Sequence, residues 1–339
     1  MLKMILIPIF CCAFLPGIAQ NDSANVYLQK GLEEKTKGRR MESLKHFEKA
    51  YSYNKSSPEI VGELASAYFD LRRYAQAKEK YKEFETLGDK SANTYRQIMV
   101  ISYNLRQFPD AIQYAALLKK NYPNEKTAYY AGKSYYGLDD RPNTVKQLTI
   151  AATEDEKNAD IPYTLARVYV DEQDYSRALP YFQKAISLDT ANARWHYEIG
   201  LLYYSMMDNK NALKHMELAS QKGIKKDKEF LQNLATANFN AGKFNEGIAV
   251  LHEMNQKWPS DLSIIEAIGI SYYTHEKYND AKTYYEQLLE IDNKNAEALY
   301  MLGMCYQKLG DKEKGKQMCD KAIEMDPKLK NIKLDKKVL

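Results

Sequence analysis

Glycine, proline, cysteine and tryptophan are all scarce in this chain of 339 residues. The 15 glycines and 10 prolines are too few to favour a turn-rich all-β protein or a disordered chain. The formal net charge is only +4, from 49 basic and 45 acidic residues spread along the sequence, which argues against nucleic-acid binding. What remains is an ordinary globular composition, with enough apolar material for a large core.

The first nineteen residues have the pattern of a secretory signal peptide. Lys3 precedes an uncharged apolar run from Met4 to Leu15, and residues 16–19 end that run with small side chains before a predicted cleavage after Ala19. A single membrane anchor is the weaker alternative, because the run is shorter than the ~20 residues that a span needs. We therefore predict an exported protein, periplasmic, secreted or associated with the cell envelope, with no membrane span after signal cleavage.

Removal of the signal peptide would leave two cysteines, Cys305 and Cys319. An oxidising compartment would allow them to pair, and they fall on the two helices of one predicted hairpin. On a helical wheel Cys305 lies at the edge of the buried arc. A disulfide and two separate core thiols therefore both remain open.

The mature chain repeats one unit, seen clearly at Ala159–Asn192, which reads as two short amphipathic helices joined by a tight turn. Its eighth and twentieth positions are small, which lets the two helices approach closely. Copies recur at steps of 33 to 35 residues, and most keep these small positions. They begin near Ala24, Pro58, Ala92, Glu125, Ala159, Ala193, Lys228, Leu262 and Ala296.

This pattern resembles the tetratricopeptide repeat family, most fully in the last copy, AEALYMLGMCYQKLGDKEKGKQMCDKAIEMDP. The resemblance implies an all-α, right-handed α-solenoid of stacked antiparallel helix pairs, a superhelix over residues 20–329, followed by a polar tail at 330–339. It also implies that the first helices line a concave surface. The outer face of the last repeat, with Met318, Ala322 and Met325, is expected to be left partly exposed.

Catalytic and cofactor sites are not evident. The five histidines lack metal-ligand spacing, and His196 and His215, which share one repeat, have no third or fourth ligand beside them. No glycine-rich phosphate loop follows a strand. We expect a non-enzyme without cofactor or metal.

The candidate binding surface is the face of the first helices that points away from the predicted core. Tyrosine offers a large contact area and a polar tip, and several tyrosines recur there beside basic side chains. An aromatic at the twelfth position also supports packing in this family, so both roles stay open. The candidate partner-binding residues are Arg96, Tyr129, Lys133, Tyr136, Tyr163, Arg167, Arg194, Tyr197, Tyr204, Phe239 and Tyr273.

We therefore predict a non-catalytic scaffold that binds a protein or peptide segment in its concave groove, by analogy an assembly factor for envelope or secretion machinery. The family's clamp for a C-terminal carboxylate is disfavoured, because Asn233 is the only asparagine near the basic set. The alternative is a glycan-binding module that uses the tyrosine ladder. Its weakness is that tryptophan, the usual residue for stacking on sugars, occurs only at positions 195 and 258.

Overall fold

The computed structural model describes residues 16–331, with side chains from 22 to 330. Most of the predicted signal peptide and residues 332–339 of the predicted tail therefore lie outside the described residues. The described residues form eighteen α-helices and one short 3-10 helix, and they divide into two compact units with the boundary between Glu172 and Gln173.

The first unit consists of four antiparallel helix pairs and one further helix. Each new pair packs its first helix against the pair before it, so that the apolar faces are buried between neighbours. The helices are α1 (Pro16–Thr36), α2 (Arg40–Tyr53), α3 (Pro58–Asp70), α4 (Tyr74–Thr86), α5 (Ala92–Asn104), α6 (Phe108–Asn121), α7 (Ala128–Gly137), α8 (Arg141–Glu154) and α9 (Asp160–Asp171).

The second unit begins with a single helix and continues with four pairs stacked in the same way. A short 3-10 helix, Pro327–Asn331, packs on the last of them. The prediction of stacked antiparallel helix pairs is confirmed. The helices are α10 (Tyr175–Leu188), α11 (Ala193–Ser205), α12 (Asn209–Gln221), α13 (Lys228–Asn240), α14 (Phe244–Lys257), α15 (Leu262–Thr274), α16 (Tyr278–Ile291), α17 (Ala296–Lys308) and α18 (Lys312–Met325).

Every turn from a first to a second helix contains one residue with positive φ. After α13 the N–H of Gly242 donates to the carbonyl of Phe239 at 2.9 Å, and the N–H of Lys243 donates to that of Asn238 at 2.8 Å. This pair of bonds is a Schellman motif, which ends the helix and reverses the chain. Glycine takes the left-handed position in three of the turns and larger residues take it in six. The nine residues are Gly38, Arg72, Arg106, Asp139, Gln173, Met207, Gly242, Glu276 and Gly310.

The small positions act as predicted, by allowing close helix approach. A Cβ added at Gly31 would lie 2.4 Å from the ring of Phe47, and one added at Gly303 would lie 2.7 Å from the carbonyl oxygen of Gly315. Real Cβ atoms do not approach so closely, so these crossings require glycine. The periodic small residues therefore set the spacing within each pair.

The last repeat buries both of its thiols. Cys305 and Cys319 are free, and Cys305 has no exposed surface, which corrects the helical-wheel placement at the edge of the buried arc. Burial raises the pKa of Cys305 to about 12. The outer face is partly covered: Ala322 is buried and Leu329 of the 3-10 helix is 4% exposed, while Met325 remains 41% exposed.

Candidate functional site on the first-helix faces

In the first unit, α7 and α9 form a polar cluster around Asp160. The Tyr129 hydroxyl donates to Asp160 Oδ2 at 2.8 Å, and Lys133 Nζ lies 2.8 Å from the same oxygen. Lys133 also donates to Thr164 Oγ1 at 3.1 Å. Burial, reinforced by the charge of Asp160, raises the pKa of the Tyr129 phenol. Two of the predicted binding residues thus share one intramolecular carboxylate.

Two further predicted residues of this unit also hold partners within it. Arg96 makes a two-point ion pair with Glu125, with N–O distances of 2.6 and 3.2 Å. The Tyr136 hydroxyl donates to Asp171 Oδ2 at 3.1 Å. The predicted aromatic and basic surface is therefore balanced by acidic side chains that the sequence interpretation left out. Tyr163 and Arg167 lie half-buried on α9.

Three tyrosine rings of this unit, on α5 and α7, pack against one another. The rings of Tyr103 and Tyr130 meet edge to face at 5.5 Å, and those of Tyr129 and Tyr130 at 5.2 Å. Sugar stacking needs an open ring face, so this packing does not favour the glycan alternative.

In the second unit, Tyr197 is a core residue. Its side chain is 2% exposed, and its ring meets that of Phe230 edge to face at 5.3 Å. The hydroxyl accepts from Asn233 Nδ2 at 2.6 Å and donates to Glu229 Oε1 at 3.3 Å. The prediction that Tyr197 faces away from the core is wrong, because the ring turns into the gap between α11 and α13.

The other predicted residues of this unit occupy different environments. Tyr273 is 8% exposed, and burial raises its pKa to about 12, so its placement on an open face is also wrong. Tyr204 is 40% exposed. Arg194 is exposed and pairs with Glu198 at 2.9 Å. These residues do not form one continuous aromatic surface.

Phe239 lines a cavity of about 260 Å³ between α13 and α15, which we name the α13–α15 pocket. Its buried floor comes from α13, α14 and α15, whereas the rim is polar. The floor residues are Ala235, Leu251, Met254 and Ile264; the walls are Thr236, Phe239 and Ala267; and the rim residues are Lys228, Gln232 and Ser263.

Apart from Phe239, the sequence interpretation missed this pocket. The available signal was the run of small residues at first-helix positions. Thr236 occupies the ninth position of its repeat, which Lys133 and Arg167 occupy in theirs, and the small side chains of Ala235 and Ala267 leave open space beside Thr236. An apolar cavity with a few polar groups at its mouth is the common form of a binding site.

His196 and His215 meet across α11 and α12. Their Nδ1 atoms are 3.3 Å apart and their rings stack at 5.5 Å. Burial lowers the pKa of both imidazoles, that of His215 to about 4. In the part of the chain that the structure describes, no cluster of three or more potential metal ligands occurs.

Among the described helices, none combines the length and hydrophobicity that a bilayer crossing requires.

Comparison with known families finds two models described as tetratricopeptide repeat. One matches residues 28–92 and 163–222, and the other matches residues 272–333. Together these segments cover more than half of the chain.

Curated proteins with similar sequences include the BBSome complex member BBS4 of Bos taurus, 21% identical over 304 residues that cover 89% of this chain and 58% of that protein. The BBS4 homolog of Drosophila melanogaster is 19% identical, over 88% of this chain and 64% of that protein. This chain thus spans less than two thirds of the length of either relative.

Solved structures with a similar fold include YrrB, described as a TPR protein with an unusual peptide-binding site. It is 23% identical, with a TM-score of 0.44 over 53% of this chain and 92% of that chain. MamA from Desulfovibrio magneticus RS-1 is 17% identical, with a TM-score of 0.46, and the match covers 50% of this chain and 97% of that chain.

Proposed function

Because the chain belongs to the tetratricopeptide repeat family, whose repeats generally mediate protein–protein interaction, we propose that it is a non-catalytic scaffold for a protein or peptide partner. The partner segment lies along the first-helix face of the second unit and inserts an apolar side chain into the α13–α15 pocket. The observation that carries this proposal is the pocket itself, with its buried apolar floor and polar rim.

The rim suits a peptide backbone. Gln232 and Ser263 are exposed and Thr236 is half-buried. The Gln232 amide can both donate and accept hydrogen bonds, whereas the two hydroxyls, which donate to the Gln232 carbonyl and to Asp261 Oδ1, can still accept them. An extended segment needs such groups, because its own N–H and C=O groups lose water on binding. The floor then supplies the apolar contact that makes one side chain an anchor.

The proposed location is the cell envelope, and the proposed role is assembly of envelope or secretion machinery. Support for export comes from the signal-peptide pattern of residues 1–19. Expression in a Gram-negative host, followed by mass measurement of the periplasmic product, tests this location. We expect a periplasmic chain that begins at Gln20. A full-length chain in the cytoplasm would contradict the proposed location.

Capture from envelope extract tests the binding site with a matched pair of variants. Ala267→Phe fills the pocket, whereas Ala249→Phe adds the same ring at an exposed position of α14. We expect wild type and Ala249→Phe to capture the same protein and Ala267→Phe to lose it. Retention of that protein by a folded Ala267→Phe variant refutes the assignment of the pocket.

A further inference from the structure

The first-helix face around the α13–α15 pocket carries carboxylates without cationic partners. Glu229 follows the rim residue Lys228 on α13, Glu266 lies between Ser263 and Ala267 on α15, and Glu297 lies in the first turn of α17. All three glutamates are exposed, and Glu229 also accepts a hydrogen bond from the Tyr197 hydroxyl of α11 at 3.3 Å. None of them forms an ion pair with another side chain of residues 22–330.

The cations near the pocket are already neutralised. Lys228 forms an ion pair with Asp261 across the start of α15. Arg194, on the neighbouring α11, pairs with Glu198. The remaining charge on this face is therefore negative.

The electrostatic environment of Glu266 agrees with this picture. Partial desolvation of its carboxylate, and then the charge of Glu297, raise the pKa of Glu266 above its ordinary value. Two like charges that lie close enough to interact and form no ion pair repel each other. A bound cation would relieve this repulsion.

We propose that the segment bound by the second unit is cationic, with an apolar side chain seated in the α13–α15 pocket and lysine or arginine side chains against Glu229, Glu266 and Glu297. This inference rests on the proposed function, because it specifies the chemistry of the same partner. Charge complementarity selects the occupant: the pocket supplies apolar contact, and the three carboxylates favour a basic sequence around the anchor over an acidic one.

Three synthetic peptides test the inference by fluorescence titration against the whole mature chain. The first has one leucine flanked by lysines, the second has the same leucine flanked by glutamates, and the third has the lysines with alanine in place of leucine. We expect the first to bind best, with an affinity that falls as salt is raised, because exposed charge pairs are screened.

Two variants separate charge from cavity. Glu266→Gln with Glu297→Gln keeps the size of both side chains, and we expect it to weaken the lysine–leucine peptide about tenfold, from the loss of two exposed ion pairs. Ala267→Phe should abolish the preference for leucine over alanine. Circular dichroism confirms that both variants remain folded.

The outcomes distinguish this inference from the function on which it rests. Equal binding of the lysine and glutamate peptides, or no effect of the double Glu→Gln change, overturns the cationic partner but leaves the pocket in place. Equal binding of the leucine and alanine peptides removes the pocket and the proposed function together. Light scattering that shows self-association through this face assigns the pocket to a second copy and likewise overturns the inference.

Discussion

Replacement of Tyr197 by alanine should destabilise the second unit strongly. The sequence pattern placed this residue on an open binding face, but its side chain is 2% exposed and its ring packs on Phe230. Tyr204, about two turns further along α11, is 40% exposed and provides the matched control. The comparison decides whether Tyr197 acts as a core residue.

The magnitude follows from the buried area. A buried tyrosine removes about 150–250 Å² from water, which at about 25 cal/mol per Å² corresponds to roughly 4–6 kcal/mol before relaxation. Large-to-small changes of buried aromatic residues cost about 3–5 kcal/mol. The hydroxyl contact with Asn233 adds a smaller part. We expect Tyr197→Ala to lower the free energy of unfolding by about 3–5 kcal/mol, and Tyr204→Ala by about 1 kcal/mol or less.

Urea unfolding followed by circular dichroism measures the total effect. Because stacked repeats interact only with their neighbours, part of the chain can open alone. Hydrogen exchange of the amides in α11–α13 should therefore be measured together with urea unfolding. We expect exchange to accelerate in these helices for Tyr197→Ala alone. If both variants have the same midpoint and exchange pattern, the placement of Tyr197 in the core is refuted.

Three other changes test separate parts of the fold. The folded pKa of His215 is about 4, below its unfolded value of about 6.5. The free energy of unfolding should therefore fall by about 1–2 kcal/mol as the pH drops from above 6.5 toward 4, which urea midpoints measure. The His215→Asn variant should lose less, and an unchanged loss would contradict the role of the pair with His196. Met207→Gly should raise the free energy of unfolding by about 0.5–1 kcal/mol in thermal melts, because the exposed Met207 has φ of 59°, and a lowered melting temperature would contradict this. Gly303→Ala should lower the free energy of unfolding by about 1–3 kcal/mol despite the better helix propensity of alanine, because the new Cβ would meet the Gly315 carbonyl. Unchanged protease resistance of the last hairpin would contradict this prediction.

Much of the helix arrangement could be predicted from the sequence. Six of the nine predicted copy starts, at 58, 92, 193, 228, 262 and 296, coincide with the first residue of a helix. This agreement has a local cause. Helix period, capping residues and turn residues all act within a few positions of one another, and their repetition at a fixed step reinforces each boundary. The family resemblance, drawn from the same periodicity, is confirmed.

The candidate site could be predicted only in part. A helical wheel places Tyr129 and Tyr197 at the same position of their repeats, yet one is half-buried against Asp160 and the other lies in the core. The wheel describes a single helix, whereas the exposure of a side chain depends on the size of residues on the next first helix. The carboxylate that pairs with Lys133 is 27 residues away, beyond any local pattern.

The sequence by itself determined the number and order of the helix pairs, their turns and their family, because these depend on contacts between near neighbours in the chain. Only the tertiary structure decided where the open space and the unpaired charge lie. The α13–α15 pocket exists because Ala235, Thr236 and Ala267 are small on facing helices, and its acidic surroundings exist because Glu266 and Glu297, on successive first helices, are exposed and form no ion pair. Both features arise from residues about one repeat apart, which meet only when the repeats stack.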